Sequence, residues 1–436
     1  DQYVIVNTRT LEFDYPQGDD NAFTSYQGTG GVQLSDPLRR ILFALRLGTL
    51  KVLLSQDITS ESRVMIYRNI RDRVQRIAPF LRYDADPYLV VSEGRLYWMW
   101  DAYTTSDRYP YSLPVRGWGN YARNAVKVVI DAYEGGVQFY VADPSDPLIR
   151  MYQKLYPTLF SPISEMPPDL FSHRRYPEDL FALQAQLLTV YHMENPTVFY
   201  NREDAWSIPM EIYGNEEVPV QPYYVVMRLP GEREVETVLM IPFTPTGKDN
   251  MVAWLAARND GEVYGELRIY QFPKQSLTFG PMQIESRINQ DARISQLLAL
   301  WSQEGSRVIR GNLLVIPMGE AILYIEPLYL RAQRSELPEL KRVIAASGSQ
   351  VAIGTTLAEA VGALAAGTGS GQAASVEDIP GLLSPSTPDT EQPLAVRALE
   401  LFDLAQSRLR AGEWAAYGQA LEELRRVLEE LAERGG

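Results

Sequence analysis

Cysteine is absent from the 436 residues. That excludes disulfides, thiolate zinc sites and thiol nucleophiles together, and it suits a chain facing an oxidising exterior with no thiol to protect. Histidine occurs twice, as His173 and His192, without metal-ligand spacing. "SHRRYP" around His173 reads as a surface or lobe-interface contact, and His192 as a dipole partner near a helix C-terminus. No apolar run reaches the roughly 18–20 residues of a membrane span. The longest candidate, "PLRRILFALRLGTLKVLL" from Pro37, carries four cations and reads as an amphipathic helix. Nucleophile-elbow and phosphate-loop motifs are missing, and "GTGG" at Gly28 lacks the rest of a dinucleotide fingerprint. A net charge of -14 argues against nucleic acid and against a polybasic membrane patch, since both need a cationic face. Six of the cations are Lys and thirty-five Arg, which reads as genome composition before function.

What is present describes a globular chain, with 45% hydrophobic and 22% charged residues and enough length for two or three domains. It opens at Asp1, without Met, and almost at once as a strand, "YVIVNTRTLEFDYP". This predicts an excised domain, with room for membrane segments in any missing N-terminal part.

Segments repeat in order along the chain. "YVIVNTRT" from Tyr3 is answered by "YVVMRLPG" from Tyr224, and "YLVVSEGRLYWMWDAY" by "LLVIPMGEAILYIEPLYL", matching Gly94 with Gly319 and Asp101 with Glu326. "KVVIDAYEGGVQFYV" from Lys127 parallels "KRVIAASGSQVAIG" from Lys341. Matched charges at Asp20/Asp249, Glu61/Glu285, Arg63/Arg287 and Lys127/Lys341 read as demanded by a repeated fold. The expectation is an α+β fold: two related lobes, 1–150 and 220–366, in pseudo-two-fold internal duplication, joined by a helical connector over 151–219. Pro177-Glu178-Asp179 makes a good helix start. Leu180, Leu183, Leu187, Leu188 and Tyr191 then form a stripe that should clamp the lobes together. A Gly/Ser/Pro linker over 367–392 and an acidic helical hairpin over 393–436, read as an interaction arm, complete the plan.

The aromatic stretch "YWMWDAYTTSDRYPYS" divides in two. Its first half alternates like a core strand, whereas "TTSDRYPYS" has no counterpart in the second lobe and is where function would be added to a scaffold.

"FLRYDADPYLVV", "GRLYWMWDAYTTSDRYPYS", "VKVVIDAYEGGVQFYVADPSDP", "RYPEDLF", "FYNREDAW", "DNMVAWLAARNDG" and "GPMQIESRINQD" resemble, over roughly residues 1–360, the extracytoplasmic half of the uncharacterised protein family 0182, bacterial multi-pass membrane proteins of unknown function. The resemblance implies a location outside the cytoplasmic membrane and a membrane region preceding this segment as the chain's own partner. It implies no reaction.

Candidate binding residues are those confined to one lobe or the connector: Asp84, Asp86, Asp107, Arg108, Tyr109, Tyr111, His173, Arg174 and Arg175. No residue is assigned as catalytic. Paired acids near Asp84, Asp86, Asp101, Asp107 and Asp131 would suit a glycoside hydrolase or calcium, although Asp-Pro and Asp-Gly pairs are ordinarily turn chemistry. No cofactor is expected beyond that calcium option. The leading expectation is a binding or scaffold module recognising an envelope protein or glycan. The alternatives are an envelope hydrolase and a lid for a transport path.

Overall fold

Alternating apolar residues and glycine turns give this chain its strands. The computed structural model describes residues 3–18, 20–273, 275, 277–302, 306–319, 321–332 and 337–367. The expected linker beyond Gly367 and the hairpin over 393–436 lie outside the described residues. The described chain belongs to one compact unit, residues 1–371. It is an α+β fold: four larger sheets and two separate hairpins, overwhelmingly antiparallel, with helices laid against them.

An N-terminal sheet pairs Tyr3–Val6 and Val32–Gln33 with Arg63–Ile66. The run from Pro37, expected to be one helix, breaks at Gly48 (φ 65°) into helices Pro37–Leu47 and Lys51–Leu54. Asp36 caps the first of them, accepting from the Arg39 amide.

The next sheet centres on the aromatic strand Arg95–Ser106. Gly94 (φ 76°) supplies the left-handed turn back to Tyr88–Ser92, and Tyr121–Asp131 pairs on the other side. Val137–Val141 and the parallel strand Phe160–Pro162 follow outward. Trp100 and Ala102 point to a core that includes Val128, Ile130, Phe139 and Ile149 of helix Pro147–Leu155. Met99 on the opposite side packs with Tyr88, Tyr140 and Leu170. Each large side chain so buried is worth about 1.5–3 kcal/mol, which sets the pleat and hence which acids face inward.

The chain then forms connector helix Glu178–Tyr191, with Glu178 and Asp179 in its first turn. Phe181 and Ala185 sink into the core of a middle sheet built on Glu236–Pro245 and Ala253–Arg258. Leu180 and Leu188 pack at its margin. The stripe read from sequence is therefore divided: Leu183 and Leu187 stay outside this core. At the helix end His192 stacks on Trp206 with ring centroids 3.6 Å apart, and its ring nitrogens meet the Leu188 and Asp204 carbonyls.

A C-terminal sheet is built on Ala321–Ala332, flanked by Ser306–Arg310 and Leu314–Met318 on one side and by Glu339–Ser347 then Gln350–Gly354 on the other, before helix Leu357–Ala365. Its order of connection is that of the aromatic sheet, with Gly319 (φ 63°) in the turn where that sheet has Gly94. The stretch 220–366 thus holds two sheets. Three of the four matched charge pairs do not occupy equivalent places, and Lys127 and Lys341 lie on corresponding strands but differ in pairing. Glu61 is exposed in a bend while Glu285 is buried in helix Pro281–Gln290, and Arg63 is on a strand while Arg287 is on that helix. Asp20 begins a strand whereas Asp249 lies in a loop. Lys127 is buried, whereas Lys341 pairs with exposed Glu339 at 2.6 Å. Short words aligned by composition matched turn chemistry and strand alternation, which different elements share.

One buried network holds the C-terminal sheet to helix Pro281–Gln290. The Arg310 guanidinium spans Glu326 on two bonds, donates to Glu285 and reaches Asn289 Oδ1 at 2.9 Å. Two carboxylates share one cation, so burial and then the charge of Glu326 push Glu285 up to about 8 from 4.5. Stability from the protonated Glu285 is full below pH 4.5 and lost as pH rises through about 8. Glu285→Gln should flatten that decline in unfolding midpoint, and an unchanged slope would refute the assignment. Arg310→Met leaves Glu326 buried and unpaired and should cost about 3–5 kcal/mol in denaturant unfolding.

Candidate functional site

The sequence candidates separate into two neighbouring groups. Asp84, Asp86, Arg174 and Arg175 meet at a junction between the aromatic sheet, the connector and the middle sheet. Asp107, Arg108, Tyr109 and Tyr111 lie on the loop that follows the aromatic strand.

At the junction the pleat turns Asp101 inward, directly across the ladder from Lys127. Both are buried, and the ammonium contacts Asp101 Oδ1. Its other protons go to the Arg175 carbonyl at 3.2 Å and the Tyr264 hydroxyl at 2.8 Å. That uses all three donors of the lysine. Burial is the largest single influence on Lys127 and opposes its charge, but Asp101, Tyr264 and Tyr88 together outweigh it, and the ammonium stays protonated above its ordinary value. Asn124 Nδ2 donates to Asp101 at 2.9 Å.

Asp84 is 2% exposed, and both of its carboxylate oxygens accept hydrogen bonds. Its Oδ1 accepts from the Asp86 amide at 2.9 Å, and its Oδ2 accepts from the Tyr103 hydroxyl and from the Asp179 amide at 3.2 Å. The Asp179 carboxylate returns the contact by accepting from the Ala85 amide at 3.0 Å. This reciprocal pair docks the start of the connector helix on the "DADP" loop. Crowding follows: burial, then Asp86 and Asp84, push Glu178 up to about 7. Asp179 is raised by burial and by Asp84.

The arginines beside it are held by rings. Arg175 lies over Tyr88 at 4.6 Å and Tyr224 at 5.3 Å, and its amide donates to the Tyr88 hydroxyl. Arg174 lies over Phe171 at 3.4 Å and Tyr264 at 4.5 Å. His173 is exposed at the edge, with Nδ1 2.7 Å from the Asp169 carbonyl oxygen. Lys127, Tyr103, Glu178, Asp179, Tyr224 and Tyr264 complete this cluster, and no spacing rule singled them out as site residues, because they come from distant elements.

The loop is built by asparagine and glycine. Asn120 Oδ1 accepts from the Tyr109 amide at 2.9 Å, and its Nδ2 donates to the Tyr109 and Ser112 carbonyls. Gly119 (φ 77°) has room for no side chain, since a Cβ would sit 2.4 Å from the Ser106 carbonyl oxygen. Tyr109 stacks on Tyr121 at 5.3 Å, and Tyr121 is pinned by Asp146, which also accepts from Thr104 and caps helix Pro147–Leu155. Tyr111 stands fully exposed. Asp107 and Arg108 face solvent and among the described residues pair with each other, at 3.8 Å, a separation worth little at a surface. These two charges stand apart from the acids of the junction.

Between this loop and the connector helix runs an open groove of about 400 Å³. Tyr109, Tyr111, Trp118 and Tyr121 line one wall, and Leu183, Leu187 and Tyr191 the other. Trp118 joins groove to junction, meeting Tyr103 edge-on at 5.0 Å and lying under the Arg82 guanidinium at 3.9 Å. Gln184 does so from the other wall, accepting from the Tyr176 hydroxyl at 2.7 Å. A larger hollow of about 660 Å³ involves the middle and C-terminal sheets, and among the described residues no ionisable acid or base lines it apart from tyrosines. Among the described residues no group of three or more His, Asp or Glu is placed to hold a metal ion. The geometry supplies an aromatic and aliphatic groove, with a locked, acidic junction behind it.

The model of an uncharacterised protein family, UPF0182, matches residues 1–301. A UPF0182 protein of Pelotomaculum thermopropionicum is 55% identical over the whole chain, which covers 48% of that relative. UPF0182 proteins of Desulforamulus reducens and Moorella thermoacetica are each 51% identical over 99% of the chain, covering 47% and 48% of their own lengths. The chain therefore spans about half the length of these curated relatives. No solved structure matches it. With the family model covering well over half of the residues, and relatives this similar along their full match, the chain is a member of the uncharacterised family UPF0182.

Proposed function

We propose that this chain is an extracytoplasmic binding or scaffold domain of a membrane protein, and that its groove takes an apolar, aromatic-bearing segment of an envelope partner protein. The supporting observation is the pairing of walls. Leu183 and Leu187 are left out of the middle-sheet core, and a loop carrying Tyr109 and Tyr111 is braced opposite them. Tyrosine and tryptophan on a pre-ordered surface are the residue types that dominate recognition energies, and a braced loop has little order left to gain on binding.

A photo-crosslinking side chain at position 111 should give a discrete adduct with a protein of the bacterial envelope. The same probe at Tyr200, also well exposed, should not. Leu187→Asp should weaken capture at position 111 roughly tenfold or more, since a hot-spot loss is worth about 2 kcal/mol. Equal labelling at both positions would remove the groove as the binding surface.

A second reading, envelope hydrolysis, is supported by Glu178 alone, because a carboxyl near 7 is suited to general-acid work. Against it, both carboxylate oxygens of its neighbour Asp84 are already committed to hydrogen bonds within the fold. If Glu178 is only a consequence of docking, its protonated form stabilises the fold. That stability is complete below pH 4.5 and is lost as pH rises through about 7. Glu178→Gln should then raise the unfolding midpoint above about pH 7 and leave partner capture intact. Lost partner processing at wild-type stability would favour the hydrolase.

A further inference from the structure

Helix Pro37–Leu47 is apolar on two opposite faces. Phe43, Ala44 and Leu47 pack with Leu34, Val52, Ile58 and Val64 in the N-terminal core. Arg40 lies on that side too, held by the carbonyls of Leu34 and Ile58. The other face carries Leu38, Ile41, Leu42 and Leu45 at positions i, i+3, i+4 and i+7, a single stripe on a helix. Leu45 is 76% exposed and Leu38 64%, and beyond Gly48 Leu50 at 68% and Leu54 at 76% are exposed as well. A lone exposed leucine needs no explanation, but a row of them marks an interaction site.

Charge is equally uneven here. The chain as a whole carries -14, yet Pro37 to Leu54 holds Arg39, Arg40, Arg46 and Lys51 and no acid. Arg39 and Arg46, seven residues apart, flank the stripe on one side. Arg39 pairs with exposed Asp36 at 3.3 Å, and Arg46 reaches the Tyr67 hydroxyl. Eleven residues make a helix about 16 Å long, far short of the roughly 30 Å of a bilayer core.

We propose that this face lies in the interface of an anionic lipid bilayer, with Leu38, Ile41, Leu42, Leu45 and Leu54 among the acyl chains and Arg46 and Lys51 at the headgroups. The local excess of cations matches such a surface where the rest of the acidic chain does not. The proposal concerns a different surface from the groove and stands independently of it.

The test is co-sedimentation of the whole 436-residue chain with vesicles. One set is phosphatidylcholine alone, and the other contains roughly a quarter phosphatidylglycerol. Wild type should bind the anionic vesicles more strongly, and less so in high salt. Leu42→Glu with Leu45→Glu should lower partitioning roughly tenfold or more while keeping the wild-type unfolding midpoint, because neither side chain belongs to the core. Arg46→Gln with Lys51→Gln should remove most of the preference for anionic vesicles. The proposal is overturned if wild type sediments with neither vesicle, or if the leucine variant binds as wild type does. A dimer that the leucine variant dissociates, without vesicle binding, would also overturn it and assign the face to a second copy.

Discussion

A lysine buried in the middle of a β-ladder has to be satisfied completely, and that requirement organises this molecule. Lys127 faces Asp101 across the aromatic sheet, and its two remaining protons reach into other parts of the chain, to the carbonyl of Arg175 and the hydroxyl of Tyr264. Tyr264 also donates to that carbonyl, at 2.9 Å. One ammonium therefore ties strand, connector and middle sheet at a single point. Removing a partner from such a pair leaves a bare charge in a low-dielectric interior, which costs far more than the pair itself contributes. The lysine thus acts less as a source of stability than as a condition on the geometry.

From that point the functional surface follows outward. Fixing the chain at Arg175 sets where the connector helix begins. The exchange between Asp84 and Asp179 then sets its direction. Its Phe181 and Ala185 side is committed to the middle sheet, which leaves Leu183 and Leu187 facing the Tyr109–Tyr121 stack across the groove. The acids crowded behind the groove, with Glu178 near 7, are the electrostatic consequence of docking a helix N-terminus on an acidic loop. A groove assembled this way is pre-ordered, so binding there would lose little conformational freedom.

Much of the scaffold was legible in the sequence. Strand alternation and turn glycines at Gly94 and Gly319 located the aromatic and C-terminal sheets, and Pro177-Glu178-Asp179 located the connector helix. The loop after the aromatic strand was legible as a polar, proline-containing break in the strand pattern. The partners of Lys127 were not legible: Asp101, Arg175 and Tyr264 are scattered over more than 160 residues of chain, and only the folded register brings them together. The break at Gly48 was missed because the apolar pattern continues through it. The matching of Glu61 with Glu285 went astray because a charged word carries no information about whether it lies on a bend or on a buried helix face. Family membership adds relatives of about twice this length and no reaction, so the chemistry of the surface is what guides experiment.

The most direct measurement is amide hydrogen exchange on Lys127→Met, alone and combined with Asp101→Asn. If the ammonium is the tie described, protection falls across Glu178–Tyr191 and around Tyr264 in both variants, while the C-terminal sheet keeps its wild-type pattern. Exchange along the connector helix unchanged from wild type would contradict the account.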